Sequence, residues 1–260
     1  MILSLKLLLT PLLIALVTFA GKRWGPFVSG LLMGLPLTSA PVSAILTAQF
    51  GSQFASHAAV GSLCGQVSVC VFCLVYSHAA QKLQWPGSTA IALAAFAAST
   101  LILNQFKWVL PAASVLLGAI IILVLRFIPQ YSAEPVKAAQ PYWDIPVRMG
   151  LATAFVFLLT STANSLGPQL SGLISPLPIF GCVMAAFTHK QQGPGSAARL
   201  LRGIVAGSWA YAIFFVMVGS LITWLNPFWV YGLAVSAALA VSSGFLIHAG
   251  GTRSIQKGNY

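Results

Sequence analysis

A threonine–serine pair, Thr38–Ser39, lies between two prolines in the stretch GPFVSGLLMGLPLTSAP, residues 25–41. Proline has no backbone N–H, so Pro36 and Pro41 each deprive a carbonyl in the preceding turn of its helical donor. Freed carbonyls, two hydroxyl groups and the positive end of a restarting helix can together bind a small polar or anionic solute. Such backbone is tolerated in a membrane only where it faces protein or a hydrated cavity. The stretch therefore predicts a solute-binding site.

The same pattern recurs 142 residues further along the chain, where WGPFVSGLLMGLPL falls on LGPQLSGLISPLPI. Glycines, prolines and a serine coincide in one register, without a gap, from residue 25 to residue 65. The matched pairs are Gly25/Gly167, Pro26/Pro168, Ser29/Ser171, Gly30/Gly172, Pro36/Pro178, Gly51/Gly193, Gly61/Gly203 and Gly65/Gly207. Matches between these residue types predict an internal repeat.

We expect the two interrupted segments to meet near the middle of the membrane and to share one site. The expected solute contacts are Pro36, Leu37, Thr38 and Ser39 in the first copy and Leu177, Pro178, Gly181 and Cys182 in the second. The second copy has no hydroxyl at this point. The sequence therefore predicts polar groups from the first half and a more apolar wall from the second.

The composition is that of a membrane protein. The chain is 58% hydrophobic and only 6% charged, with a mean hydropathy of +0.90, whereas soluble domains carry about 25% charged residues. Runs of about 20 apolar residues cross the hydrocarbon core as helix. The predicted spans are 2–20, 26–48, 54–79, 88–104, 108–127, 146–164, 168–188, 197–223 and 228–249. We predict an all-α polytopic membrane protein of about nine transmembrane helices, with proline-interrupted helices 2 and 7.

The basic residues predict the orientation of these spans. With nine spans, eleven of the thirteen Lys and Arg residues fall on one side, and only Lys6 and Lys107 fall on the other. Basic loops stay in the cytoplasm, so we expect an outside N-terminus and a cytoplasmic C-terminus in the inner membrane of a cell. The net charge of +11 is then a topology signal and does not indicate nucleic-acid binding.

The repeat and the spans together predict the domain organisation. Residues 1–127 form a first repeat of five helices, 128–145 a proline-rich cytoplasmic linker, 146–251 a second repeat of four helices, and 252–260 a cytoplasmic tail. Because the first half has an odd number of spans, the second half has the opposite orientation. Inverted-topology repeats with interrupted helices are a known transporter construction. Span 108–127 has no counterpart in the second half.

Four glycines form two G-x-x-x-G motifs at matching positions, Gly61 with Gly65 and Gly203 with Gly207. This spacing places both glycines on one helix face and allows close helix packing. We expect packing within the chain. Formation of a homodimer is the less favoured alternative.

Five further residues are candidates for a gate or mouth: His57, Asn164, Gln169, Arg199 and Arg202. Asn164 and Gln169 flank the predicted outer end of the second interrupted span. The two arginines, three residues apart beside a glycine-rich turn, are suited to meeting an anion. Positive-inside anchoring is the favoured explanation of the same two cations.

The missing residue types exclude several function classes. No Asp or Glu lies in any predicted span, which argues against carboxylate-based ion coupling. There is no nucleotide-binding P-loop, and the cysteines of CVFC lie inside a predicted span without the His companions of a metal site. We therefore expect no metal, no cofactor and no enzymatic activity. The leading hypothesis is a permease for a small polar or anionic solute, with the lipid bilayer and that solute as partners. The alternative is a non-transporting membrane subunit or assembly factor.

Overall fold

The computed structural model describes residues 15–37, 39–129 and 179–257, with Leu12, Val147, Gly150 and Ala154 as isolated positions. Regular structure in this part of the chain is helical. The helices are α1 (residues 15–24), α2 (Pro26–Met33), α3 (Ser39–Ala79), α4 (Trp85–Asn104), α5 (Leu110–Phe127), α6 (Ile179–Gln192), α7 (Pro194–Leu221) and α8 (Pro227–Lys257). Five of them, α3, α4, α5, α7 and α8, are long and apolar enough to cross a membrane. The protein is accordingly an all-α, multi-pass membrane protein.

The described helices overlap the predicted spans with two differences. Span 26–48 is divided between α2 and the first segment of α3, because Pro36 and the turn before it interrupt the helix. Helix α8 continues to Lys257, beyond the predicted end of its span at residue 249. The end of an apolar run marks where the chain leaves the hydrocarbon core, and the helix itself need not end there. Most of span 2–20, almost all of span 146–164, the first part of span 168–188 and almost all of the predicted linker lie outside the described residues.

Three glycines with positive φ separate consecutive helical segments: Gly25 (φ 91°), Gly51 (φ 85°) and Gly193 (φ 83°), each with ψ close to 170°. This combination is accessible essentially to glycine alone. Gly51 divides α3 into two segments, which we call α3a (residues 39–50) and α3b (residues 52–79). Gly193 separates α6 from α7 in the same way.

Helices α3b and α7 form the centre of the molecule and run antiparallel. Near the start of α3b, the Ser56 hydroxyl donates to the Gly219 carbonyl near the end of α7, at 2.8 Å. Midway along both helices, Gln66 Nε2 donates to Ser208 Oγ at 2.7 Å. Helix α5 packs against both, while α4 packs on α3 and α8 packs on α7. The four largest fully buried side chains in the described part of the chain, Tyr76, Phe72, Phe214 and Phe215, come from these two central helices.

Helix α2 crosses α7 at backbone contact distance. A Cβ at Gly203 would overlap the Phe27 carbonyl oxygen, and a Cβ at Gly30 would overlap that of Leu200. One turn further along, a Cβ at Gly34 would lie 2.6 Å from Gly207 Cα. Glycines spaced by four on both helices therefore let α2 lie directly on α7.

The two ends of the bundle differ in charge. We call one the basic end; its described cations are Lys22, Arg23, Lys82, Arg126, Lys190, Arg199 and Arg202. Contacts hold it together, since Arg202 Nη1 donates to the Leu125 carbonyl at 2.9 Å and Lys190 Nζ lies 5.9 Å from the centre of the Trp85 ring. We call the other the distal end; it has Lys107 and exposed aromatic side chains, including Trp224 at 85% exposure. Between the ends, large apolar side chains such as Ile122 face outward, at 62% exposure, as lipid contact requires.

Candidate functional site

The interruption at Pro36 is a tight turn followed by a new helix. The N–H of Leu35 donates to the Leu32 carbonyl (3.3 Å), which Pro36 has deprived of its helical donor. The N–H of Leu37 then donates to the Leu35 carbonyl (2.8 Å), and helical bonding resumes where Ala40 N–H reaches the Pro36 carbonyl (2.8 Å). The turn is therefore hydrogen-bonded, and its direction change places the start of α3a against the central helices.

A set of polar side chains lies at this junction, halfway along α3b and α7. We call it the central polar cluster; its members are Ser39, Ser62, Gln66, Ser208 and Tyr211. Gln66 is only 6% exposed and Ser208 is fully buried. Ser208 accepts the hydrogen bond from Gln66 and donates its own proton to the Ile204 carbonyl at 3.0 Å.

Tyr211 joins the cluster to the interrupted helix. Its hydroxyl interacts with the side chains of Ser39 at the start of α3a and Ser62 on α3b. The cluster thus connects three segments: the restarted half-helix and both long central helices. At about 1.5 Å per residue, α3b is about 40 Å long, so a cluster at its midpoint lies deep in the bundle.

The chemistry of the cluster is neutral hydrogen bonding. Its hydroxyls, phenol and amide both donate and accept, and none of these groups is charged at neutral pH. Cys70 lies beside it, with Sγ 3.9 Å from Ser208 Oγ, and is a free, buried thiol. Among the residues that the structure describes, no group of three His, Cys, Asp or Glu side chains is placed to hold a metal ion. The arrangement is suited to recognising hydroxyl, amide or carboxylate groups of a small molecule.

The structure places the predicted solute contacts unequally. Pro36 is buried in the turn, Leu37 and Ser39 are half-buried beside it, and Ser39 belongs to the central polar cluster. Gly181 and Cys182 are buried near the start of α6. Thr38, Leu177 and Pro178 lie outside the described residues.

The described gate candidates, His57, Arg199 and Arg202, lie toward the ends of the bundle. His57 is exposed at the distal end, near the start of α3b. Both arginines lie at the basic end, where Arg199 Nη2 is 3.4 Å from Ser196 Oγ and Arg202 donates to the last turn of α5. Asn164 and Gln169 lie outside the described residues. Arg202 therefore has a structural task, which is to satisfy a carbonyl at a helix C-terminus.

The predicted packing glycines occupy different surroundings. Gly203 and Gly207 contact α2, whereas Gly65 is buried on α3b and Gly61 is exposed. Within the described part of the chain, no atom lies within 4 Å of the position that a Cβ on Gly61 would take. Among the described residues α2 contacts the motif of α7, whereas the sequence copy of α2, residues 168–175, lies outside the described part of the chain.

Sequence reasoning missed Gln66, Ser208 and Tyr211. A signal for the first two was present, because Gln66 is an amide in the middle of an apolar span and aligns with the polar Ser208 at the repeat offset of 142. Comparing polar residues between the copies, as well as glycines and prolines, finds this pair. Tyr211 aligns with Val69, so no such comparison marks it.

Comparison of the chain with protein-family models, with curated proteins and with solved structures gave no match.

Proposed function

We propose that this protein is a permease for a small polar or anionic solute, working by alternating access between two inverted-topology repeats. The repeats are those predicted at residues 1–127 and 146–251, and the solute site is the central polar cluster. Transporters of this construction bind solute near the bilayer midplane, where interrupted helices of the two repeats face each other.

The hydrogen bond between Gln66 and Ser208 is the observation that carries the proposal. Its two residues are 142 positions apart, the offset that aligns the two copies of the sequence. In an assembly of two copies related by a two-fold axis, a residue touches its own counterpart only at that axis. Since α3b and α7 run antiparallel through this contact, the axis crosses the helices, as an inverted repeat requires.

Backbone geometry supports the same axis independently. Gly51 and Gly193 are counterparts at the offset of 142, and their φ angles are 85° and 83° with ψ at 171° in both. Both follow the second helix of their copy and precede the long central helix. Gly25 has the same glycine-only conformation elsewhere in the first copy, so the support comes from the matching sequence positions of Gly51 and Gly193 together with their shared geometry.

The interrupted helix gives the cluster its role as a solute site. The break between two helical segments brings Ser39, and the main-chain groups before it, next to the Tyr211 hydroxyl. Burying so many polar groups inside a membrane protein lowers its stability unless each group has a hydrogen-bond partner. A polar solute that binds there exchanges hydrogen bonds with groups that are already paired to one another.

The proposed orientation follows from charge. The basic end lies in the cytoplasm and the distal end outside, because basic loops are retained on the cytoplasmic side. This places the N-terminus outside and the C-terminus inside, in the inner membrane of a cell.

Transport is tested by comparing cells that produce the protein with matched cells that lack it. Uptake and efflux are measured over a panel of sugars, polyols, amino acids and small organic acids. We expect a change for one chemical class, which Q66A and S208A abolish at equal amounts of protein in the membrane. The control S236A alters an exposed hydroxyl of α8 that bonds its own helix and retains the change. If the protein changes the uptake or efflux of no solute class, the interpretation as a non-transporting membrane subunit is favoured.

A further inference from the structure

A network of three hydroxyls joins α3a to α8 at the distal end. The Tyr231 hydroxyl lies 2.8 Å from Ser43 Oγ and 2.7 Å from Thr47 Oγ1. Thr47 in turn donates to the Ser43 carbonyl at 2.9 Å. Ser43 and Thr47 are buried, and the Tyr231 ring packs against Phe214 of α7, with ring centres 6.1 Å apart. We call these three residues the distal latch.

A second polar contact joins α6 to α3b at the basic end. The Tyr76 hydroxyl lies 3.5 Å from His189 Nδ1, and the two rings meet edge to face with centres 6.0 Å apart. Tyr76 is fully buried, and its hydroxyl also interacts with Thr89 of α4. We call Tyr76, Thr89 and His189 the basic latch.

The two latches occupy equivalent places in the two copies of the sequence. At the offset of 142, Thr47 aligns with His189 and Thr89 aligns with Tyr231. Thr47 lies four residues before Gly51, and His189 lies four residues before Gly193. Each latch therefore ties the last turn of one copy's second helical segment to the first turns of the other copy's fourth helix. Their side chains differ, since the phenol lies on α8 in the distal latch and on α3b in the basic latch.

We infer that the distal and basic latches are the two gates of this molecule, which close the central polar cluster from opposite ends. The inference depends on the proposed permease function. Each latch joins the first repeat, residues 1–127, to the second, residues 146–251. Rotation of one repeat against the other about the Gln66–Ser208 contact therefore opens one end and leaves the other closed. In this structure the hydrogen bonds of both ends are formed, which corresponds to an occluded state.

The strength of the latches suits reversible opening. Each consists of a few hydrogen bonds between neutral groups, whose net contribution is small compared with the packing of the central helices. Removing one hydroxyl removes attraction at one end only. Such a change shifts the population of end-open states without altering the site itself.

The test uses a single cysteine as a reporter at the site. Cys64, Cys70, Cys73 and Cys182 are replaced by alanine, and Ser39→Cys is introduced. A membrane-impermeant maleimide is applied to vesicles of either orientation, and the rate of labelling from the distal face is divided by that from the basic face. His57→Cys and Lys82→Cys, which are exposed at the distal and basic ends respectively, verify the orientation of the vesicles.

We expect Y231F to raise this ratio by about three- to tenfold, and Y76F to lower it by a similar factor, because each loses about one net hydrogen bond. T47V and H189L, which remove the partner groups, should reproduce the two shifts even if a tyrosine variant folds poorly. S236A on α8 should leave the ratio unchanged.

The failures of the two proposals are distinguishable. In the first kind of failure, Ser39→Cys is labelled while its distal-to-basic labelling ratio is the same in every latch variant, or shifts in the same direction in all of them. Either result overturns the assignment of the latches as gates and remains consistent with a permease. An unreactive Ser39→Cys from both faces in every variant overturns the permease, and the gates with it.

Discussion

The two central helices, α3b and α7, have matching glycine patterns, and the described part of the chain shows close packing on the pattern of α7. Both follow a positive-φ glycine and carry G-x-x-x-G at equivalent positions. On α7 that motif lies in backbone contact with α2, whereas Gly61 on α3b is exposed, with no described atom near its Cβ position. The spacing of small residues specifies a face on which close packing is possible. The proposed inverted repeat would place residues 168–175, the sequence copy of α2, on the corresponding face of α3b.

A substitution at the tightly packed motif should have the largest effect. We expect G203A to cost about 3 kcal/mol of stability, because its Cβ would overlap the Phe27 carbonyl and backbone yields little. The proposed inverted repeat predicts a similar loss of about 3 kcal/mol for the equivalent G61A, because residues 168–175, the sequence copy of α2, would pack on it. Thermal unfolding of the purified protein in detergent measures both, with G232A on the open face of α8 as a control. A large loss for G203A with none for G61A would contradict an equivalent packing of the two copies.

Substitutions at the glycine breaks that precede α3b and α7 should lower stability by similar amounts. Alanine at Gly51 or Gly193 forces a non-glycine residue into a conformation that costs about 1–3 kcal/mol. We expect similar losses of thermal stability for G51A and G193A, both larger than that for G232A. A large loss for one variant and none for the other would mean that the two breaks are not equivalent elements.

Exchanging the side chains of Gln66 and Ser208 tests whether the proposed two-fold axis passes between them. Q66S shortens one partner and S208Q lengthens the other, so we expect each to lower stability by about 1 kcal/mol. The double variant Q66S/S208Q restores an amide opposite a hydroxyl and should recover at least half of the summed loss. A double-mutant cycle measured by thermal unfolding gives this coupling. Strict additivity of the two losses would show that the positions are not interchangeable.

The smallest expected effect is at Arg202, whose counterpart on α3b is Val60. R202M removes the donor to the Leu125 carbonyl and should cost about 0.5–1 kcal/mol. K82M removes an exposed cation from the same end and should cost less than this. If K82M is the more damaging of the two in the same unfolding assay, the Arg202–Leu125 contact contributes nothing to stability.

The sequence predicted the elements of this fold better than it predicted the site. Apolar runs and the Gly–Pro punctuation located the central helices and the interruption at Pro36, because a membrane allows few alternatives to helix. Within the site, Ser39 was found because proline marks the break beside it. Tyr211 and Tyr231 were not found, since a tyrosine in an apolar span has the same pattern as any aromatic core residue, and only tertiary packing brings its hydroxyl to a partner.

Alternating access requires that water reach the central polar cluster from both ends of the bundle. Labelling of Ser208→Cys from each face of the membrane tests this requirement. The cysteine-free background, the impermeant maleimide and vesicles of both orientations are used, with Ile122→Cys as a lipid-facing control. We predict labelling of His57→Cys from one face only, of Lys82→Cys from the opposite face only, and of Ser208→Cys from both. A thiol at position 208 that reacts from neither face, while both end positions react as predicted, would contradict the account.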